Sequence, residues 1–143
     1  MLLKDKMVFI VEDNTQNRVV FQMILILQGA RVEFERWGKD TLRRLKLLKH
    51  IDVIVMDLGL AQGVSGYDVF DEIRAIPEFN KLPIVAVSAT DPAIGIPKTK
   101  LKGFSGFIAK PIDDVRFPRQ LAKIIAGEEV WDTGVAVFED EPE

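Results

Sequence analysis

At 143 residues, 48% of them hydrophobic, the chain is the size of one domain and carries enough apolar material for one core. A formal charge of −3 and a pI near 5.3 leave no basic footprint for nucleic acid, and the lack of cysteine excludes disulfides, thiolate nucleophiles and zinc–thiolate centres. No run approaches the roughly 20 apolar residues of a membrane span, and the residues before the first apolar run leave no space for a secretion signal, so a soluble cytoplasmic protein is expected.

Met7–Val11 is continuously apolar, as a strand buried on both faces should be. Asn14 or Thr15 caps a predicted helix reaching about Gln28, with Val19, Val20, Met23, Ile24 and Leu27 at helical spacing and Gly29 as its stop. Arg31–Glu35 alternates, with Val32 and Phe34 on one face, and reads as an edge strand. A turn at Gly38 leads to a helix over about 40–49. Residues 51–56 form the most apolar strand, and 67–76 a helix closed by Pro77.

Strands follow over 83–87 and Gly106–Ala109. Between them, Pro92, Gly95 and Pro97 discourage a regular helix before about Pro97, which predicts a short or displaced fourth helix. The last helix runs from Asp113 or Asp114 to Ala126, with Pro118 kinking it or delaying its start. A domain over 1–127 is therefore expected, followed by an acidic tail over 128–143 with seven acids and no base. Within that tail Trp131 and the Val-Ala-Val-Phe run at 135–138, which reads as a short strand, are able to dock. The alternation of elements predicts a parallel α/β fold of five strands and five helices with right-handed crossovers.

In such a sheet the carboxyl ends of the strands share one crevice. Glu12 and Asp13 follow the first strand, Asp57 the third, Ser88 the fourth, and Lys110-Pro111 the last. Three carboxylates brought together repel one another, and a hard divalent ion such as Mg²⁺ suits oxygen ligands that also hold a phosphate. Ser88 adds a hydroxyl and Lys110 a fixed positive charge. Each residue also has a plainer reading: Asp13 as a helix cap, Asp57 and Ser88 as turn residues, Lys110 as an exposed strand end, Phe107 as a core aromatic. His50, the one histidine, is assigned no chemistry, and with no cysteine it argues against zinc hydrolases and Ser-His-Asp enzymes. No glycine-rich phosphate loop supports a nucleotide enzyme.

The Glu12-Asp13-Asn14 run, Asp57, Ser88-Ala89-Thr90, Phe107 and Lys110-Pro111 resemble the receiver domain of two-component response regulators, over about residues 5–126. The resemblance implies a flavodoxin-like doubly wound sheet of order 2-1-3-4-5. It implies Asp57 as phosphoacceptor, and Mg²⁺ held by Glu12, Asp13, Asp57 and the carbonyl of Gly59. Ser88 and Lys110 would contact the phosphoryl group, Ser88 and Phe107 would form a switch pair, and Lys110–Pro111 would be cis. The expected function is a stand-alone receiver, not a conventional enzyme, although receivers promote their own Mg²⁺-dependent phosphorylation and dephosphorylation. Its partners would be a histidine kinase or histidine phosphotransfer protein and a downstream protein, with a homodimer left open and no direct nucleic acid or membrane contact. Two departures sustain an alternative, a non-phosphorylated pseudo-receiver acting as an interaction module. The loop after Asp57 lacks the family's Met-Pro and is one residue longer, and the fourth helix is rich in Pro and Gly.

Overall fold

The computed structural model describes residues 1–37, 40–60 and 63–134. The turn expected at Gly38 and the short strand expected at 135–138 lie outside these residues. The elements alternate as β1 (Met7–Val11), α1 (Thr15–Ile26), β2 (Arg31–Glu35), α2 (Thr41–Leu47), β3 (Val53–Asp57), α3 (Gly66–Arg74), β4 (Ile84–Ser88), α4 (Pro92–Lys102), β5 (Gly106–Ala109), α5 (Arg116–Ile125) and β6 (Val130–Asp132), with a 3₁₀ turn at Pro77–Phe79. All strand pairs are parallel, in the order β2-β1-β3-β4-β5-β6. The expected order 2-1-3-4-5 is present, and a sixth, short strand extends it at the β5 edge. The predicted boundary at residue 127 falls just before that strand.

The sheet is buried on both faces. Phe9, Val11, Ile54, Met56, Ile84, Ala86 and Phe107 face one apolar layer, into which α3 contributes Val69, Phe70 and Ile73. Val8, Ile10, Val53, Val55, Val85, Val87 and Ile108 face the other, beneath Phe21 and Leu25 of α1 and Phe117, Leu121 and Ile124 of α5. Continuous apolar strands are what such two-sided burial demands.

Two expectations are corrected. In α1 the buried residues are Phe21 and Leu25, while Val19, Val20, Met23, Ile26 and Leu27 are exposed and only Ile24 of the expected stripe packs inward. The helix is apolar on more than one side, and the Phe21/Leu25 pair, one turn apart, takes the core because the Phe21 ring meets Phe117 of α5 at 5.5 Å. The fourth helix is neither short nor displaced: α4 is regular from Pro92. Pro92 occupies its first turn, where no N–H is needed, and Asp91 caps it by accepting from the Ala93 N–H at 3.0 Å. Pro97 removes one interior donor, and the buried Thr99 hydroxyl donates to the Gly95 carbonyl at 2.7 Å just beyond it. In α5, Pro118 delays the start, as expected: the helix begins at Arg116, and Pro118 sits in the first turn.

Gly95 has a reason that the sequence alone hides. A Cβ there would stand 2.4 Å from Cε2 of Phe107, so α4 is close enough to β5 only because position 95 has no side chain. Alanine is the better helix former by about 1 kcal/mol. Gly95→Ala should nevertheless destabilise the protein, by about 1–3 kcal/mol from overpacking. Urea denaturation measures this, and Phe107→Leu in the same chain should recover part of the loss; a stabilised Gly95→Ala protein would mean that the ring is not seated there.

Candidate functional site

The Met7–Val11, Val53–Asp57 and Ile84–Ser88 strands end side by side and bring Glu12 with Asp13, Asp57 and Ser88 to the carboxyl end of the sheet. Glu12 is buried just past β1, and its carboxylate accepts from the Asn14 N–H at 3.1 Å. Asn14 in turn caps α1, its side chain accepting from the Asn17 N–H at 2.9 Å. Asp13, half-buried, lies between them; the cap expected at Asn14 or Thr15 is Asn14, and the plainer reading of Asp13 as the cap does not hold. One carboxylate oxygen from each of Glu12, Asp13 and Asp57 lies within 4.8 Å of the other two.

Lys110 reaches across this group. Its Nζ stands 3.5 Å from Glu12 Oε1 and 3.8 Å from Asp57 Oδ2, with the side chain largely withdrawn from solvent. The Lys110 N–H donates to the Ser88 carbonyl at 2.9 Å, and the Lys110–Pro111 bond is cis, as the resemblance implied. Burial pushes the Asp57 carboxyl up to about 6; the Lys110 ammonium pulls against it and the Glu12 carboxylate adds to it.

The loop after Asp57 closes on itself. Gly59 donates its N–H to Asp57 Oδ1 at 3.1 Å and bridges to Ser65, and the Gly66 N–H donates to the Leu58 carbonyl at 3.1 Å. A Cβ at Gly66 would come 2.7 Å from the Asp57 carbonyl oxygen, so glycine lets the first turn of α3 press against the loop. Ala61 and Gln62, in the region of the extra residue, lie outside the described residues. Gly59 therefore holds its place beside Asp57 despite the altered loop.

Ser88 is buried and donates its hydroxyl to Thr90 Oγ1 at 2.9 Å while accepting from the Thr90 N–H at 3.0 Å. Phe107 is fully buried with its ring inward against α4, so in this conformation it is a core aromatic, and the switch expected of it would start from the inward position. Sequence reasoning gave no role to Arg18, whose Nε donates to the Glu12 carbonyl at 2.9 Å and steadies the acidic corner. Its place one turn past Asn14 on the capped helix was the available signal. His50 is exposed and pairs with Asp52 at 2.7 Å, away from this group.

The carboxylate set fits a hard divalent ion. Mg²⁺ takes oxygen ligands and usually keeps several waters, so three carboxylates gathered within 4.8 Å offer donors of the right chemistry for it.

Residues 8–122 match the response regulator receiver domain. The chain belongs to that family. It is 32% identical over 112 residues to the polar-differentiation response regulator DivK of Brucella ovis, covering 78% of this chain and 89% of DivK. It is also 27% identical over 120 residues to the probable transcriptional regulator ycf29 of Porphyra purpurea, of whose length it spans about half (53%) while 81% of this chain is covered. Among solved structures, the receiver domain of sensor histidine kinase PA1611 from Pseudomonas aeruginosa PAO1, described with a magnesium ion coordinated in its active site cleft, is 28% identical with a TM-score of 0.74. That match covers 85% of this chain and 98% of the other. Chemotaxis response regulator CheY4 of Vibrio cholerae, 21% identical with a TM-score of 0.74 over 85% of this chain and 99% of its own, shares the fold. This chain is thus a receiver domain of a response regulator, in a family whose members interact with histidine kinases and downstream targets, and its site is consistent with a phosphoacceptor role. Among the described residues no helix is long and apolar enough to cross a membrane.

The raised Asp57 pKa has a sign that can be checked. Below the ordinary value of 3.8 both folded and unfolded chains hold the proton, and no penalty exists; between 3.8 and about 6 the folded state keeps a proton that the unfolded one releases, so stability falls as pH rises. Above that window the penalty is complete, on the order of 3 kcal/mol at 1.36 kcal/mol per pKa unit. Asp57→Asn should therefore stabilise the receiver by that order at pH 7.5 without divalent ions and by little at pH ~4, as measured by urea denaturation at both pH values.

Proposed function

We propose that this chain is a stand-alone cytoplasmic receiver that takes a phosphoryl group from a phosphohistidine onto Asp57, in a reaction that needs Mg²⁺, and signals through the resulting change of surface. The observation that carries the proposal is the Lys110 ammonium set against Glu12 and Asp57, two of three carboxylates that gather their oxygens within 4.8 Å of one another at the end of the sheet where Ser88 lies buried. This is the charge pattern that a transferring phosphoryl group requires. The match to most of the length of DivK supports the stand-alone reading.

An Asp57 oxygen attacks phosphorus in line, the P–N bond to the donor imidazole breaks, and the bonding pair returns to that nitrogen. When bound, Mg²⁺ supplies neutralisation of the phosphoryl oxygens and of the carboxylate cluster. Glu12, Asp13, Asp57 and the Gly59 carbonyl would hold it. The remaining work belongs to the chain. The Gly59 N–H fixes one Asp57 oxygen, leaving the other, which faces Lys110, as the nucleophile. Lys110 turns from the carboxylates to a phosphoryl oxygen, and Ser88 rotates its hydroxyl from Thr90 toward another. Burial pushes the Asp57 carboxyl up to about 6, so it is largely the ionised, attacking form at neutral pH and loses that form as pH falls through 6. Ser88, once moved, changes what β4 presents to β5 and its Phe107. The protein catalyses only its own phosphorylation and dephosphorylation, so output passes through a partner protein, reached from the kinase or phosphotransfer protein that supplies the phosphoryl group.

The pseudo-receiver reading predicts an acidic site that has lost its cation or its geometry. The closed loop that keeps Gly59 on Asp57 favours the phosphoacceptor over it. Incubation with Mg²⁺ and acetyl phosphate should add one phosphoryl group by intact mass, and Asp57→Ala should abolish it; an unmodified wild-type chain would establish the interaction module instead. Lys110→Ala should slow labelling by about a hundredfold or more, the loss typical of removing one charge-stabilising group, while leaving the fold intact by circular dichroism.

A further inference from the structure

The end of the sheet opposite Asp57 carries a basic cleft. Residues 41–50 include Arg43, Arg44, Lys46, Lys49 and His50 and no acid, in a chain whose formal charge is −3. Lys49 to Ile51 lead toward β3 and Lys81 to Pro83 lead into β4; the two strands are parallel, so both connections lie at the amino end. A cleft of about 630 Å³ opens between them. From Val53, where β3 begins, to Asp57 is a rise of about 13 Å, so the cleft and the acidic site occupy opposite ends of the same strand.

Leu48, Ile51, Phe79 and Leu82 line the cleft, half-buried, and pack inward against the core, which gives it a fixed apolar floor. The Arg74 guanidinium pins one wall by donating to the Phe79 carbonyl at 2.6 Å. Lys46, Lys49 and Lys81 line the cleft as exposed side chains, and among the described residues no carboxylate pairs with any of them. His50 is held at the wall by Asp52, whose other oxygen accepts from the Met7 N–H at 2.8 Å. Glu78 is the one acid among the lining residues. We propose that this cleft holds an acidic segment of a partner protein, an apolar anchor flanked by carboxylates, and does so whatever the state of Asp57.

Charge and shape select that occupant. Three unpaired ammonium groups around an apolar floor complement a ligand with an apolar centre and negative flanks. The arginines nearby, whose planar forks suit phosphate, are already engaged, Arg43 with Asp40 at 3.3 Å and Arg44 with Glu35 at 2.7 Å. Lysines on flexible stems remain, and they suit carboxylates whose positions are not fixed in advance. A flat bilayer does not enter a cleft of this size, and a nucleic-acid strand needs a longer track of cations than three lysines. Because the remainder of the chain is acidic, a negative segment is repelled elsewhere and held where these lysines gather. A partner attached here leaves the carboxyl end of the sheet open, so attachment and phosphoryl transfer do not compete. That last consequence rests on the phosphoacceptor reading; the docking does not.

The test uses the full-length chain with labelled methyl groups and, as probe, a short peptide carrying a Leu-Phe pair between two pairs of Glu. The peptide should shift the Leu48, Ile51 and Leu82 methyl resonances and leave those of Val19 and Val20 on α1 in place. With a fluorescent form of the peptide, Lys46→Gln, Lys49→Gln and Lys81→Gln together should weaken binding by about tenfold, the sum of three exposed charge pairs. Arg at the same three positions should preserve it, as should an equal loss of charge elsewhere through Lys4→Gln, Lys98→Gln and Lys123→Gln. Asp57→Asn should bind as wild type does. Unmoved Leu48, Ile51 and Leu82 resonances at millimolar peptide, an affinity indifferent to the three cleft lysines, or one that changes with Asp57→Asn would each overturn the proposal. So would tighter binding of an oligothymidylate, or of phosphatidylserine vesicles, through the same lysines. Acetyl phosphate labelling of Asp57, read on the same samples, decides the phosphoacceptor reading separately.

Discussion

Repulsion among three carboxylates, answered by one lysine, is the constraint that organises this molecule. Parallel strands must all point their carboxyl ends the same way, and β1 and β3 are neighbours, so Glu12, Asp13 and Asp57 cannot avoid one another once the sheet forms. Burial first, and the Glu12 carboxylate after it, raise the Asp57 pKa, so the ionised form of Asp57 costs the fold stability. Lys110 reduces that cost without removing it, because its ammonium stands 3.5 Å and 3.8 Å from two of the carboxylates and makes an optimal pair with neither. A charge held at those distances is free to move to a better partner. Such a site holds unfavourable energy that a change in its charge would release.

The surrounding structure fixes the corners of that site mainly by backbone donors, with the Arg18 side chain the exception. Glu12 is set by the Asn14 N–H and by Arg18 on its carbonyl, Asp57 by the Gly59 N–H, and Lys110 by its own N–H on Ser88. Backbone donors move only when an element moves. The Ser88 hydroxyl is held by Thr90 twice, donating to its Oγ1 at 2.9 Å and accepting from its backbone N–H at 3.0 Å.

The sheet and the site were legible in the sequence for one reason: strands buried on both faces are written as unbroken apolar runs, and the polar residue that ends each run is the site residue. That rule located Asp57 after residues 53–56 and Ser88 after residues 84–87 with no help from geometry. Helix faces were less legible. In α1 apolar residues cover more than one side, and periodicity could not tell the Phe21/Leu25 face from the Val20/Met23 face; only the Phe117 ring across the layer decides it. In α4 the local signals of Pro92, Gly95 and Pro97 were read as breakers, although one proline starts the helix and the glycine makes room for Phe107. Tertiary contact overrode propensity, and no window along the chain contains the ring that explains the glycine. β6 escaped for a similar reason: three residues in an acidic stretch give no strand signal until Gly106 is seen to leave space for them, where a Cβ would stand 2.5 Å from the Val130 carbonyl.

Those two glycines, 95 and 106, bear on how a change at Asp57 could leave the site. Phe107 sits between α4, which presses on its ring at Gly95, and β6, whose Trp131 lies opposite it in register. Trp131 is in turn covered by Lys100 from α4, so the helix, the ring and the last strand form one closed set of contacts. Ser88, at the end of β4, pairs in register with Ala109 of β5, two residues from Phe107. Close-packed groups of this kind change between discrete arrangements rather than deforming by degrees. Because β6 is tied to both α4 and α5, any rearrangement of α4 must carry the last strand with it or let it go. β6, three residues long, is held at the β5 edge by the contacts of Trp131 and Asp132 as well as by its backbone pairing.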